Sequence, residues 1–149
     1  MSESESSKIR LDVPTGVRAG ILAGTIAIGL VVLLNMFDVS RVSFMVAPIL
    51  QLTAGMFYVR RIFSKIDVSY LEGAAGGAVA GAITGFIIII GGTLVSGLLV
   101  GSNFEYAGGL SSFSEDTFTG DFLNSMVVGA ALGAIGGLWV ILMRTQRID

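Results

Sequence analysis

Four long stretches of the sequence contain no charged residue, and this pattern constrains the fold more than any other feature. The stretches are residues 19–37, 42–59, 73–100 and 122–143. A helix needs about 20 apolar residues to cross a hydrocarbon core of about 30 Å. Because 53% of the residues are hydrophobic and only 13% are charged, too few polar side chains remain to cover a soluble globule. The sequence therefore predicts an all-α integral membrane protein with four transmembrane helices.

The polar residues outside these stretches divide the chain into one membrane domain and two tails. Residues 1–18 are a Ser- and Glu-rich tail, residues 19–143 the four-helix transmembrane domain, and residues 144–149 a short basic tail. Residues 101–121 form a long acidic loop between the third and fourth spans. The length of the chain leaves no room for a separate soluble domain beside four spans.

The segment of residues 60–72 between the second and third spans has two interpretations. Its apolar side chains Ile62, Phe63, Ile66 and Tyr70 would share one face of a helix lying on the lipid headgroups. The alternative is an ordinary charged loop, which the prevalence of short connections favours.

The positions of Lys and Arg predict the orientation. Eight of the nine basic residues lie in the two tails and the 60–72 segment, and Arg41 is the exception. Basic residues in short loops mark the cytoplasmic side of a membrane protein. Both termini are therefore predicted to be cytoplasmic, and the short loops favour a prokaryotic cell membrane.

Glycines recur at every fourth position in three of the four spans, which places them on one face of each helix. The first helix carries Gly16, Gly20 and Gly24; the third Gly73, Gly77, Gly81 and Gly85; and the fourth Gly129, Gly133 and Gly137. Such stripes allow helix backbones to approach closely in lipid. The sequence predicts a glycine-striped bundle. The stripes pack either within one chain, which is favoured, or against a second copy or another subunit.

The first and third spans also resemble each other. Aligning the segment that starts at Arg18 with the segment that starts at Gly76 superposes Gly20 on Gly77 and Gly24 on Gly81. Both spans would run from inside to outside, so the pattern indicates a parallel repeat of two helical hairpins.

Few side chains in the predicted spans could carry chemistry. The chain has no Cys and no His, and no acidic residue lies in a span, which argues against a proton or cation relay. Gln51, three residues after Pro48, and Thr84 are the candidates for a polar intramembrane site. Gln51 either hydrogen-bonds to a neighbouring helix, which is favoured, or lines a small polar cavity. No catalytic residue, cofactor, metal site or nucleic-acid contact is expected.

Three segments resemble the small glycine-rich four-span membrane proteins of archaea and some bacteria. They are APILQLTAG, YLEGAAGGAVAGAITGF and GAALGAIGG, which fall in the second, third and fourth spans. The resemblance implies a four-helix membrane fold and adds no catalytic residue, because those families have no established activity.

These patterns lead to two hypotheses about function. The first is a non-enzymatic membrane protein that associates through its glycine-rich faces, as a homo-oligomer or as an accessory subunit of a larger complex. The second is a small channel or facilitator for a neutral solute, with Gln51 and Thr84 at its constriction. The expected partners are the lipid bilayer and either the chain itself or another membrane subunit.

Overall fold

The computed structural model describes residues 11–37, 45–63, 68–98 and 115–146, which form four helices. The helices are α1, Val13–Met36; α2, Val46–Phe63; α3, Tyr70–Leu98; and α4, Glu115–Thr145. Three of them, α1, α3 and α4, are long and apolar enough to cross a membrane. The all-helical fold and three helices suited to spanning a membrane are thereby confirmed.

Helix α2 is not among the three helices that meet this criterion. It comprises 18 residues and includes Arg60 and Arg61 in its last turn. Residues 42–44, with which the predicted second span begins, lie outside the described residues. The fourth span therefore stays a prediction.

Helix α1 begins at Val13, inside the predicted polar tail, because Asp12 caps it. One carboxylate oxygen of Asp12 accepts a hydrogen bond from the backbone N–H of Thr15 at 3.1 Å, and the other accepts one from the Thr15 hydroxyl at 2.8 Å. A side chain that accepts from the first turn satisfies a backbone donor without an intrahelical partner. The Asp12 cap therefore determines where this helix begins, and the hydropathy of the sequence does not indicate that position.

Helix α3 begins with a reciprocal pair of hydrogen bonds between Ser69 and Glu72. The Ser69 hydroxyl accepts from the Glu72 N–H at 3.2 Å, and the Glu72 carboxylate accepts from the Ser69 N–H at 3.1 Å. This is the capping box that the pattern Ser-x-x-Glu encodes. Together with the extension of α2 to Phe63, it leaves the predicted 60–72 segment partly helical at both ends.

The helices pack with α2 and α3 in the middle. Each of these two contacts all three other helices, whereas α1 and α4 do not touch within the described residues. Gly16 of α1 faces Val79 of α3 and Gly24 faces Ile87, so the numbers rise together and α1 runs parallel to α3. Half of the residues in the buried cluster between the helices are alanines, namely Ala19, Ala23, Ala54 and Ala80.

Candidate functional site

The glycines of α3 and α4 face one another along an antiparallel seam. The facing pairs are Gly73 with Gly137, Gly77 with Gly133, Gly81 with Gly129, and Gly85 with Ser125. In every pair, a Cβ atom built on the α3 glycine would clash with α4; at Gly85 it would lie 2.5 Å from the Ser125 carbonyl oxygen. Since the residue numbers change by four on both helices, each step advances the seam by about one turn. The seam brings backbone against backbone.

Helix α2 joins this seam at Gly55, which the glycine spacing did not reveal. A Cβ atom on Gly55 would overlap the carbonyl group of Gly133, and one on Gly136 would overlap the carbonyl oxygen of Leu52. Gly133 also faces Gly77 and Gly81, so three helices meet around it. Because α2 contains only one glycine, a search of the sequence for repeated glycines does not detect this contact.

The glycines of α1 contact side chains more than backbone. A Cβ atom on Gly24 would lie 2.6 Å from the Ile87 Cβ atom, and one on Gly16 would lie 3.2 Å from a methyl carbon of Val79. Gly20 is intermediate, because its Cβ would lie 2.6 Å from both the Ala80 carbonyl oxygen and the Ile83 Cβ atom. All three face α3 of the same chain.

Gln51 lies at the crossing of α2 with α3 and α4 and is only 3% exposed. Its side-chain nitrogen would lie 3.2 Å from a Cβ atom on Gly85 and 3.1 Å from one on Gly129. The absence of side chains at these two glycines therefore makes room for the amide group. Gln51 packs against the α3–α4 seam from the α2 side.

Thr84 is fully buried, and its hydroxyl is directed toward α1. It donates to the carbonyl oxygen of Ala80 in its own helix at 2.8 Å and lies 3.3 Å from the carbonyl oxygen of Gly20. The Thr84 hydroxyl thus serves the α1–α3 contact, whereas the Gln51 amide lies at the α3–α4 seam.

Tyr58 of α2, near the end of the predicted second span, is buried. Its side chain is fully buried, and its hydroxyl lies near the backbone of Asp12, at the start of α1, without forming a well-aligned hydrogen bond. A Cβ atom on Gly76 would overlap the Tyr58 ring, and one on Gly16 would lie 3.6 Å from it. The ring therefore fills a gap between α1 and α3 that two glycines leave open.

These contacts define what the described residues can do chemically. Apart from Tyr58, the buried polar or charged side chains among them are Gln51 and Thr84. The described acids form no group of three or more residues able to hold a metal ion. The arrangement is suited to holding helix backbones in close contact. Comparison of the chain with protein-family models, with curated proteins and with solved structures gives no match.

Proposed function

We propose that the protein is a non-enzymatic, multi-pass membrane protein that acts as a structural subunit, either in a homo-oligomer or as an accessory component of a larger membrane complex. The observation that carries this proposal is the outer face of α1, where Gly29 lies among exposed large apolar side chains. A small residue on an exposed helix face allows a second helix to approach closely in lipid.

The proposal includes α2 as a fourth membrane span. Helices α1 and α3 are both apolar enough to span a membrane, and their contacts show that they run in the same direction. If α1 and α3 both cross the membrane, a returning span is needed between them. The 18 residues of α2 correspond to about 27 Å of helix at 1.5 Å per residue. The last turn of α2, with Arg60 and Arg61, would lie at the headgroups, and the uncharged residues 46–59 would cross most of the hydrocarbon core as about 21 Å of helix.

The bias of Lys and Arg supports cytoplasmic termini. With four spans, the start of α1 and the end of α4 lie on one side, together with Arg60, Arg61 and Arg144. That side is the cytoplasmic one by the positive-inside rule. The parallel repeat of two hairpins stays a prediction, since any up-and-down bundle of four helices gives α1 and α3 the same direction.

The outer face of α1 is the surface that we assign to a second subunit. The stripes of α3 and α4 face each other within one chain, so they are not open to a partner. On α1, Leu22, Ile26, Leu30 and Leu33 are exposed, and a Cβ atom on Gly29 would meet nothing within 4 Å. This face combines a small residue with large apolar neighbours, a combination suited to helix packing in lipid.

The proposal is tested by the mass of the intact assembly released directly from its native membrane. Native mass spectrometry is expected to show either a defined homo-oligomer or a complex with a stoichiometric partner, which peptide sequencing would identify. In a homo-oligomer, Gly29→Leu should shift the assembly toward monomer, whereas Ala131→Leu, at an exposed position of α4, should not. A monomer alone, in both the membrane-released sample and mild detergent, would overturn the proposal.

A further inference from the structure

A groove separates the C-terminal ends of α2 and α4. It has a volume of about 530 Å³ and includes Met56, Arg60 and Phe63 of α2, which lie on one helical face, together with Trp139, Met143 and Arg144 of α4. The two helices run in the same direction, so their last turns lie at the same level. The groove is thus charged at one end and apolar along the rest of its length.

Two guanidinium groups mark the charged end. Arg60 and Arg144 both lie in the last turns of their helices and are exposed. The central carbon of the Arg144 guanidinium lies 4.4 Å from the centroid of the Phe63 ring, within the range of a cation–π contact. Stacking of this kind orients the planar guanidinium, whose N–H groups match the geometry of a phosphate. The charged end is therefore suited to an anion with several acceptor oxygens.

The rest of the groove is apolar. Trp139 and Met143 of α4 are more than half exposed there, and Met56 of α2 lies opposite. A second cavity, of about 410 Å³, lies on the outer face of α1 beside Arg18, but a single helix lines it and one cation accompanies it. Of these two cavities, only the α2–α4 groove combines cations from two helices with an apolar cleft.

We propose that this groove binds an anionic phospholipid of the cytoplasmic leaflet. Its phosphate would contact Arg60 and Arg144, and an acyl chain would lie against Trp139, Met56 and Met143. Basic pockets between membrane helices on the cytoplasmic side are suited to anionic lipid headgroups. The inference rests on the proposed four-span topology, which places this end of α2 and α4 at the cytoplasmic surface.

The single tryptophan of the chain provides a direct test, because Trp139 lines the groove. The full-length protein is reconstituted into vesicles that contain either brominated phosphatidylglycerol or brominated phosphatidylcholine at the same mole fraction. Bromine quenches tryptophan fluorescence on contact. From the attraction of two basic residues to an anionic lipid, we expect the apparent association constant to be about tenfold higher for phosphatidylglycerol.

A pair of variants tests whether the preference for phosphatidylglycerol arises from the groove. The double variant Arg60→Gln/Arg144→Gln should lose most of the preference, whereas Arg61→Gln, which removes the same charge one residue outside the groove, should retain it. Circular dichroism establishes that each variant keeps its helical structure.

Three other outcomes would overturn the inference. Equal quenching by the two lipids would show that the groove does not select anionic headgroups. If neither lipid quenches the fluorescence and the protein still resists extraction by alkaline carbonate, then a protein surface covers the groove. Extraction of the protein by carbonate would reject the proposed membrane topology itself, and the lipid site with it.

Discussion

The contact between α3 and α4 differs in kind from the contact between α1 and α3, although both are lined by glycines at four-residue spacing. In the α3–α4 contact, most glycines face the backbone of the other helix, as at Gly81 and Gly133, and Gly73 is the exception because it faces the Ile141 side chain. In the α1–α3 contact, Gly24 faces the Ile87 side chain, and the Tyr58 ring of α2 lies near Gly16. The same sequence pattern thus serves two different kinds of packing.

The difference has a mechanical consequence. A backbone carbonyl cannot rotate away from an added methyl group, because it is held in its own helix by hydrogen bonds. A change of isoleucine rotamer moves Cγ2 but not Cβ, so most of the relief on the α1 side comes from an outward shift of α1, which contacts α2 and α3 but not α4 within the described residues. We therefore expect α2, α3 and α4 to form the rigid unit and α1 to tolerate change better.

The largest effect is expected for Gly133→Ala. The added methyl would overlap the Gly77 carbonyl oxygen and lie 2.9 Å from both the Cα and the N of Gly81. Overpacking costs typically 1–3 kcal/mol and occasionally more, and we expect a loss of about 3 kcal/mol because the obstacle is backbone. The measurement is the free energy of unfolding by SDS titration in mixed micelles.

Gly120→Ala is the matched control for this substitution. Gly120 lies in the same helix, is exposed, and a Cβ atom there would meet nothing within 4 Å. Replacing an exposed helical glycine by alanine stabilises a helix by up to about 1 kcal/mol. Equal free energies of unfolding for the two variants would contradict the rigid seam.

A smaller loss, of about 1–2 kcal/mol, is expected for Gly24→Ala. The new methyl would lie 2.6 Å from the Ile87 Cβ atom and 2.7 Å from its Cγ2 atom. Ile87→Ala removes Cγ1, Cγ2 and Cδ1 and keeps Cβ, so it should relieve the part of this crowding that involves Cγ2. The double variant should therefore lose less stability than the two single variants combined. Strict additivity in this cycle would show that Gly24 does not pack against Ile87 as described.

Hydropathy and charge in the sequence indicate the membrane helices, but not where each helix ends. The sequence does contain the signals for two of these ends, in the Asp12 cap and the Ser69–Glu72 box, since capping depends on single residues. Gly55 and Tyr58 could not be assigned from spacing, because their partners Gly133 and Gly76 lie on other helices. Three-dimensional packing decides which glycine meets backbone and which meets a side chain.

Tyr58 tests the α1–α3 contact from the side of α2. Its hydroxyl is buried near the backbone of Asp12 but forms no well-aligned hydrogen bond with the described residues, and leaving a buried polar group unsatisfied costs about 1–3 kcal/mol. Tyr58→Phe removes this hydroxyl and should therefore raise the free energy of unfolding. We expect a gain of about 1 kcal/mol, because the cost of the small cavity left by the hydroxyl offsets part of the benefit. Tyr58→Leu, which also removes the ring that lies against Gly76, should lower it. A lower stability for Tyr58→Phe would indicate that the hydroxyl has a stabilising partner.

The smallest effect is expected at Thr84, the polar link between α1 and α3. Its hydroxyl already donates within α3, to Ala80 at 2.8 Å, and lies farther, at 3.3 Å, from Gly20 of α1. Hydrogen bonds between membrane helices contribute about 0.6 kcal/mol on average, so Thr84→Val should lower the free energy of unfolding by about that amount. Thr84→Ser keeps the hydroxyl and removes only a methyl group. If Thr84→Ser is the less stable of the two, then Thr84 holds α1 through its methyl group, and the α1–α3 contact is apolar throughout. If Thr84→Val is the less stable, then a hydrogen bond supplements the side-chain packing on the α1 side, whereas the α3–α4 seam depends on the approach of its backbones.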